Sequence, residues 1–272
     1  MKVPDNIVAI WGVPRSGTTW LGQILNSSPN TLFRYQPLFS HRFKDSLSNV
    51  SSGQDISSFL YRIVKTKDEF VLNGLANEEE KKRLQFYKNS NPSHLVMKHV
   101  RYHHIIENIL NQTNIKIIGI VRNPCAVINS WIKAPREFDN TWDPIKEWQI
   151  AKKKNMNRVE EYYGFEKWKE AINNFIKFEE KFPDTFRIIR YEELINAPIG
   201  KTKELFSFIN LGFAKQTEMF LNECNSRHEE NEYTVFRDKS VKDKWKTQLN
   251  SNIRDHIYND LKDTDFEMYL ND

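Results

Sequence analysis

A short apolar run near the amino terminus restricts the chain to few fold classes. The residues from Ile7 to Val13 are continuously apolar, with Gly12 next to the end of the run, a pattern typical of a parallel strand buried on both faces. Apolar residues then recur at helical spacing from Thr18 to Leu25. A strand, a loop and a helix in this order predict the first unit of an α/β fold.

Further strands and helices alternate along the chain. Two apolar runs, His94 to Val100 and Ile115 to Val121, predict strands joined by a helix from Tyr102 to Asn111. Phe186 to Arg190 predicts another strand, and aromatic and aliphatic residues recur at helical spacing from Phe165 to Phe182. We therefore predict an α/β, P-loop-like three-layer fold with a central, mainly parallel sheet flanked by helices.

The length of the chain predicts one domain. A chain of 272 residues can bury a substantial core, and no segment rich in Pro or Gly divides residues 1–272. Residues 40–58, rich in Ser, Gly and Asn, predict an irregular surface stretch, and residues 66–92 alternate charged with scattered apolar positions. We expect these two regions, around 40–92, to be insertions on the substrate side of the core.

The composition restricts the classes of binding partner and the cellular compartment that we expect for this protein. A formal net charge of +4 from 40 Lys and Arg against 36 Asp and Glu favours a local anion site over a nucleic-acid-binding surface. Cys125 and Cys224 lie far apart, so we predict neither a disulfide framework nor a metal site, and a cytoplasmic location. No stretch approaches eighteen apolar residues, so no membrane span is predicted.

The loop between the first strand and the first helix carries the strongest chemical signal. It runs from Gly12 to Trp20 as GVPRSGTTW, with two glycines spaced as in the phosphate-binding pattern G-x-x-x-x-G-K-[ST]. Thr18 occupies the lysine position of that pattern, and Arg15 carries the charge instead. The change weakens the case for a magnesium-dependent NTPase, because Mg²⁺ neutralises a triphosphate there. A sulfonyl group carries less charge and needs no metal.

This loop resembles the 5′-phosphosulfate-binding loop of the sulfotransferases that use 3′-phosphoadenosine 5′-phosphosulfate (PAPS), which runs Pro-Lys/Arg-Ser-Gly-Thr-Thr-Trp. A second signature of that family holds the 3′-phosphate, with an arginine at a strand end and a serine eight positions later; Arg122 and Ser130 have this spacing. The resemblance implies that the cofactor-binding residues include Arg15, Ser16, Gly17, Thr18, Thr19, Trp20, Arg122 and Ser130.

Two later segments extend the resemblance. Tyr191 is similar to the family tyrosine near the adenine, although a buried structural tyrosine would have the same pattern. The basic segment that ends in Trp245 is similar to the family's mobile loop over the 3′-phosphate. Counted back from Trp245, Lys239 falls on the family lysine, whereas Arg237 is one position early. The resemblance therefore adds Tyr191, Arg237 and Lys239 to the cofactor-binding candidates, with a solvated charge run as the alternative for the last two.

The resemblance implies transfer of a sulfonyl group from PAPS, without a metal, to a hydroxyl or amine of a small-molecule or carbohydrate acceptor. Arg15 would stabilise charge on the leaving phosphate, and its role would be electrostatic because arginine does not give up its proton. Lys98, which precedes Arg122 by twenty-four residues, is similar to a strand lysine that the family places beside the sulfonyl group; an ordinary strand-end lysine is the alternative.

The acceptor hydroxyl also needs a base, and the sequence leaves its identity open. Gln36 and Val100 occupy the two positions where relatives carry that base, and neither side chain accepts a proton. The remaining candidates are His41, His99, His103 and His104, or a base elsewhere in the chain. We favour His99, because a bend at the strand end would turn it toward the site. The catalytic candidates are therefore Arg15, Lys98 and His99.

Two other functions fit the same residues. A nucleotide kinase or other NTPase predicts magnesium-dependent binding of ATP. A non-catalytic PAPS-binding module, suggested by Gln36 and Val100, predicts binding without turnover. The acceptor stays open, and no heptad pattern indicates an oligomer interface.

Overall fold

Five parallel strands form the central sheet, in the order β2-β3-β1-β4-β5. The computed structural model describes residues 2–74, 78–226, 233–236 and 242–270. The strands are β1 (Asn6–Trp11), β2 (Thr31–Tyr35), β3 (His94–His99), β4 (Lys116–Val121) and β5 (Phe186–Arg190). Every strand pair within these ranges is parallel. The α/β class and the parallel sheet flanked by helices are thus confirmed.

Helices occupy most of the chain between and after the strands. They are α1 (Thr18–Asn26), α2 (Gly53–Val64), α3 (Glu69–Asn73), α4 (Glu78–Arg83), α5 (Ile106–Gln112), α6 (Pro124–Ile132), α7 (Pro144–Glu147), α8 (Lys152–Asn155), α9 (Phe165–Lys181), α10 (Tyr191–Asn196), α11 (Pro198–Phe208), α12 (Lys215–Ser226), α13 (Trp245–Gln248) and α14 (Ser251–Leu261). In the described ranges, no helix combines the length and the apolarity needed to cross a bilayer.

Two apolar clusters pack on the two faces of the sheet. Ala9 and Trp11 belong to one cluster, and Val8 and Ile10 belong to the other. Successive strand residues point to opposite faces, so β1 contributes to both clusters. This explains why its sequence is continuously apolar and why the fold has three layers.

Strand β2 is the element that the sequence analysis missed. Its polar residues break the apolar pattern, yet Arg34 is buried. Nε of Arg34 donates to the carbonyl oxygen of Ile63 (2.7 Å), and Nη2 donates to that of Val64 (2.8 Å). These carbonyls lie at the end of α2 and lack partners within the helix. A buried cation therefore caps α2, and burial lowers the pKa of Arg34 to about 10.

The prediction of an irregular stretch over residues 40–58 is wrong in its second half. Helix α2 begins at Gly53, and Ser52 and Asp55 form a capping box at its start. Ile56, Phe59 and Ile63 from this helix are buried against the sheet. The Ser-rich segment before the helix, together with Gly53 at its first position, concealed its amphipathic pattern.

Candidate active site

The loop that follows β1 turns sharply into α1. Gly17 has a φ of 94°, and Arg15 has a φ of 73°. A Cβ atom at position 17 would lie 2.5 Å from the ring of Tyr191, so glycine suits both the backbone angle and the space. Because glycine has no side chain to cap α1, the first N–H groups of the helix are available to an anion at its amino terminus.

A cavity of about 360 Å³ lies beside this loop. Of the predicted cofactor residues that the structure describes, all except Ser16 line it. They are Arg15, Gly17, Thr18, Thr19, Trp20, Arg122, Ser130 and Tyr191. Ser16 is buried instead, and its Oγ donates to the carbonyl oxygen of Val13 (2.7 Å), so its side chain stabilises the turn. Arg237 and Lys239 lie outside the described residues.

Arg122 follows β4 and Ser130 lies on α6, and the structure brings both to Arg15. Nε of Arg15 donates a hydrogen bond to Oγ of Ser130 (3.1 Å), and Nη1 of Arg122 donates to the backbone oxygen of Arg15 (3.1 Å). The guanidinium carbon of Arg122 lies 4.5 Å from the centre of the Tyr191 ring. The residues expected at the 5′ and 3′ phosphates therefore adjoin in one cavity.

Buried hydrogen bonds hold the end of β4 in place. The indole N–H of Trp168 donates to the backbone oxygen of Arg122 (3.0 Å), and the N–H of Asn123 donates to Oε1 of Glu192 (2.9 Å). The side chain of Asn123 caps α6 by accepting from the N–H of Cys125 (2.9 Å). Burial raises the pKa of Glu192. These contacts fix the position from which Arg122 reaches the cavity.

Lys98 lies next to the last residue of β3 and lines the cavity. Its side chain is buried, and its Nζ lies 4.4 Å from the centre of the Tyr35 ring. Burial lowers the pKa of Lys98, while Tyr35 and Glu137 partly oppose that effect by favouring the ammonium form. The structure thus brings Lys98 to the same cavity as Arg15.

The structure does not bring His99 there. Its ring stacks on Trp11 with the ring centres 4.4 Å apart, and burial, together with the charge of Lys98, lowers its pKa to about 3. β3 continues through His99, so the expected bend is missing from this strand and the ring stays on the opposite face from Lys98. Among the described residues, no histidine lines the cavity. His99 cannot accept a proton from a molecule bound there.

The amino-acid sequence matches the family model described as the sulfotransferase domain over residues 5–264, which is nearly the whole chain. The chain belongs to the sulfotransferase family. Carbohydrate sulfotransferase 1 of Danio rerio is 22% identical over 153 residues, which cover 53% of this chain and 35% of that protein. The chain therefore spans well under two thirds of the length of this curated relative.

Solved structures of sulfotransferases share the fold. The sulfotransferase domain from the Synechococcus PCC 7002 olefin synthase superposes with a TM-score of 0.52 at 19% identity, covering 92% of this chain and 90% of that domain. Mouse sulfotransferase SULT7A1, complexed with PAP, superposes with a TM-score of 0.58 at 13% identity, covering 99% of this chain and 88% of the mouse chain. At these identities the likeness extends to the fold alone.

This sulfotransferase cavity contains charged residues that carried no motif in the sequence. Arg136, Glu137 and Lys154 line it, from the segment after α6 and from α8. Nη1 of Arg15 donates to Oε1 of Glu137 (3.3 Å), and burial lowers the pKa of Lys154. The sequence analysis singled out none of these three residues. Folding, and not a local pattern, places them opposite the loop.

The two positions where relatives of this sulfotransferase carry a base do face the cavity. Gln36 and Val100 both line it. Gln36 has a φ of 40°, and its N–H donates to the carbonyl oxygen of Lys98 (2.9 Å). Its buried Oε1 accepts no hydrogen bond from any residue that the structure describes. The two positions that the resemblance indicated for the base therefore do line the cavity, although neither of their side chains is a base.

A second cavity of about 450 Å³ adjoins the first. Phe39, Phe70 and Arg101 line both of them. Nε of Arg101 donates to Oε2 of Glu161 (2.8 Å), and its guanidinium carbon lies 3.9 Å from the centre of the Phe39 ring. His41 lines the second cavity. In the part of the chain described above, no group of three or more His, Cys, Asp and Glu side chains is arranged to hold a metal ion.

Proposed function

We propose that this protein transfers a sulfonyl group from PAPS to a hydroxyl or an amine of an acceptor. The observation that carries the proposal is the convergence of Arg15, Arg122 and Ser130, which contact one another through two hydrogen bonds of 3.1 Å. Two guanidinium groups beside the amino terminus of α1 make a strong anion site. PAPS carries one phosphate at the 3′ position and one at the 5′ position of its ribose. It therefore needs such a site.

The described residues also fit the nucleoside part of PAPS. The rings of Trp20 and Tyr191 meet edge to face, with centres 5.7 Å apart, and both line the cavity. Aromatic rings at this place suit the flat apolar surface of adenine. Arg237 and Lys239 keep their proposed contact with the 3′-phosphate on the basis of the family resemblance alone.

PAPS supplies the sulfonyl group, and adenosine 3′,5′-bisphosphate (PAP) is the other product. Arg15 stabilises the negative charge that grows on the leaving phosphate. Lys98, which lines the same cavity, is an ammonium donor for the sulfonyl oxygens. Its charge is favoured by Glu137 and Tyr35 against the effect of burial. Neither group transfers a proton in this scheme, so the acceptor needs a base elsewhere.

We further propose a carbohydrate acceptor. The relative from Danio rerio is a carbohydrate sulfotransferase, and the residues that line the cavity include Tyr35, Phe39, Phe70 and Tyr163. Aromatic faces next to charged and amide groups suit a sugar ring, which has one apolar face and polar edges. The second cavity, which shares Phe39 and Phe70 with the first, would hold a further part of a longer acceptor.

We also propose a single domain with substrate-side insertions and a cytoplasmic location. Phe70, Asn73 and Leu84 lie between residues 40 and 92 and line the cavity, which supports substrate-side insertions in a single domain over residues 1–272.

Cys125 and Cys224 are both buried and unpaired. Two free thiols suit a reducing compartment and support a cytoplasmic location.

Calorimetric titration with PAP, and separately with ATP and magnesium, tests the proposal. We expect PAP to bind and Arg122→Ala to weaken its binding by at least tenfold, since a hydrogen bond to a charged group contributes about 1.5–3 kcal/mol. Arg187→Ala is the control, because Arg187 is an exposed arginine on β5. Preference for ATP with magnesium would favour the NTPase instead.

The non-catalytic alternative is favoured by one observation: Gln36 and Val100 line the cavity where relatives carry a base. It predicts that PAP binds while ³⁵S-labelled PAPS transfers no label to any acceptor. Incubation of the wild-type protein with labelled PAPS and a panel of 4-nitrophenol, 4-nitrophenyl β-D-glucoside and N-acetylglucosamine distinguishes the two functions. Labelled product supports the transferase, and its absence with bound PAP supports the module.

A further inference from the structure

We propose that Glu137 is the general base that removes the proton from the acceptor hydroxyl. The inference rests on the proposed sulfonyl transfer and supplies the base that this mechanism lacks. Glu137 is the only carboxylate among the described residues that line the cavity. A carboxylate is ionised at neutral pH and can accept a proton from a hydroxyl within hydrogen-bond reach.

The position of Glu137 relative to Arg15 puts it beside the reacting groups. Oε1 of Glu137 accepts a hydrogen bond from Nη1 of Arg15 (3.3 Å), and Arg15 is the residue that we assign to the leaving phosphate. Glu137 also interacts electrostatically with Lys98, which we assign to the sulfonyl oxygens. The carboxylate therefore lies near both residues that contact the transferred group.

The second carboxylate oxygen lacks a donor. Oε2 of Glu137 is buried and accepts no hydrogen bond from the residues that the structure describes. A buried polar atom without a partner is unfavourable by about 1–3 kcal/mol, and such atoms in native proteins call for an explanation. The hydroxyl of a bound acceptor would donate to Oε2, which satisfies this atom and aligns the proton for transfer.

Other groups in and around the cavity fit the role less well. Gln36 and Val100 cannot accept a proton, and His99 lies in the core. Burial raises the pKa of Tyr163 well above its usual value, which keeps its hydroxyl protonated. Lys98 is the rival, because burial lowers its pKa, but Tyr35 and Glu137 both favour its charged form.

Several charged and titratable groups surround Glu137. Those with an electrostatic interaction or a direct contact are Arg15 after β1, Lys98 at the end of β3, Arg101 after it, Lys154 on α8, Tyr163 before α9, and Tyr233. Cations predominate in this set. The proton that Glu137 takes in the reaction is released to solvent when the products leave.

The proposed step balances. The acceptor oxygen forms a bond to sulfur while the bond from sulfur to the bridging oxygen breaks, and that oxygen leaves with its electron pair as part of PAP. The acceptor proton moves to Oε2 of Glu137. Arg15 stabilises the charge on the leaving oxygen, and no oxidant, reductant or metal takes part.

The test compares Glu137→Gln, Glu137→Ala and the control Asp139→Asn in the full chain. Asp139 is an exposed carboxylate two positions away. PAP affinity is measured by calorimetry, and transfer from labelled PAPS is measured with the three-acceptor panel. We expect Glu137→Gln to keep PAP affinity within threefold and to lower kcat by about 10²–10⁴-fold. Sodium formate should partly restore the rate of Glu137→Ala, and Asp139→Asn should match the wild type.

Two outcomes separate a base from a residue that only positions Arg15. A kcat of Glu137→Gln within threefold of the wild type would overturn the inference. So would a tenfold loss of PAP affinity with no rescue by formate, which indicates positioning alone.

The failure of the proposed function is recognised separately. If the wild-type protein does not bind PAP, the sulfotransferase proposal itself fails. If it binds PAP but labels no acceptor in the panel, the binding module is favoured and the base is overturned with it. If Lys98→Met loses the transfer activity while Glu137→Gln retains it, the base is Lys98 and the transferase proposal stands.

Discussion

Nε of Arg15 donates a hydrogen bond to Oγ of Ser130 at 3.1 Å, although 115 positions separate the two residues. The contact joins the loop after β1 to the helix that follows β4. Adjacent parallel strands β1 and β4 end at the same edge of the sheet, so the two segments meet there. One cavity can consequently hold both phosphate groups of a nucleotide such as PAPS.

Replacing Ser130 tests this contact. We expect Ser130→Ala to weaken PAP binding by about three- to tenfold, because an uncharged hydrogen bond contributes about 0.5–1.5 kcal/mol, and to lower kcat further as Arg15 loses a fixed partner. Ser207→Ala, on the exposed side of α11, is the control for calorimetry and turnover. Unchanged PAP affinity in Ser130→Ala would contradict the assignment of the hydroxyl to the phosphate site.

The loop depends on Gly17. Gly17→Ala forces a side chain into a left-handed backbone conformation and places a Cβ atom 2.5 Å from Tyr191. We expect the free energy of unfolding to fall by about 2 kcal/mol or more, and PAP binding to be lost. Urea denaturation gives the first value and calorimetry the second. Gly200→Ala is the matched control, because position 200 on α11 has open space, and we expect it to be neutral or stabilising by up to about 1 kcal/mol.

The buried ammonium of Lys98 makes stability depend on pH. Its pKa in the folded protein is lowered, chiefly by burial, so the unfolded state binds more protons between that lowered value and the ordinary lysine pKa of about 10.4. Across this window stability rises with pH. The contribution is complete above the ordinary pKa and is lost as the pH falls through the lowered one.

Lys98→Met should remove that dependence. We expect the variant to be more stable than the wild type at pH 7, with the difference shrinking toward alkaline pH, and its kcat to fall about 10²-fold through loss of a charged donor. Urea denaturation at several pH values and labelled transfer assays measure the two effects. Equal pH profiles for the variant and the wild type would show that Lys98 is not desolvated in the folded protein.

His99 should be dispensable for catalysis. Because its ring stacks on Trp11 and its pKa is lowered to about 3, it is neutral throughout the working pH range. We expect His99→Phe, which retains an aromatic ring against Trp11, to keep kcat within threefold of the wild type. A loss of 100-fold or more in a folded variant would restore His99 as the base and remove that role from Glu137.

Local patterns were sufficient for much of the fold and for the loop. The apolar runs of β1, β3, β4 and β5 reflect burial on both sheet faces, so they are legible without tertiary information. Arg122 and Ser130 also lie in adjoining elements, and their separation is set by a strand end and a helix turn. By contrast, the sequence did not reveal β2, because a charged residue at position 34 breaks its apolar pattern. Arg34 can be buried there only because it donates to carbonyl groups at the end of α2, a contact that no local pattern shows.

The sequence alone determined strands β1, β3, β4 and β5, the anion-binding loop and the family, because each depends on residues close together in the chain. Tertiary structure decided which side chains share the cavity. It turned Lys98 toward Arg15 and His99 into the core, since neighbours on a strand point to opposite faces. It also brought Glu137 to Arg15 across 122 positions, a contact that depends on how the segment after α6 folds back over the loop and that no local spacing encodes.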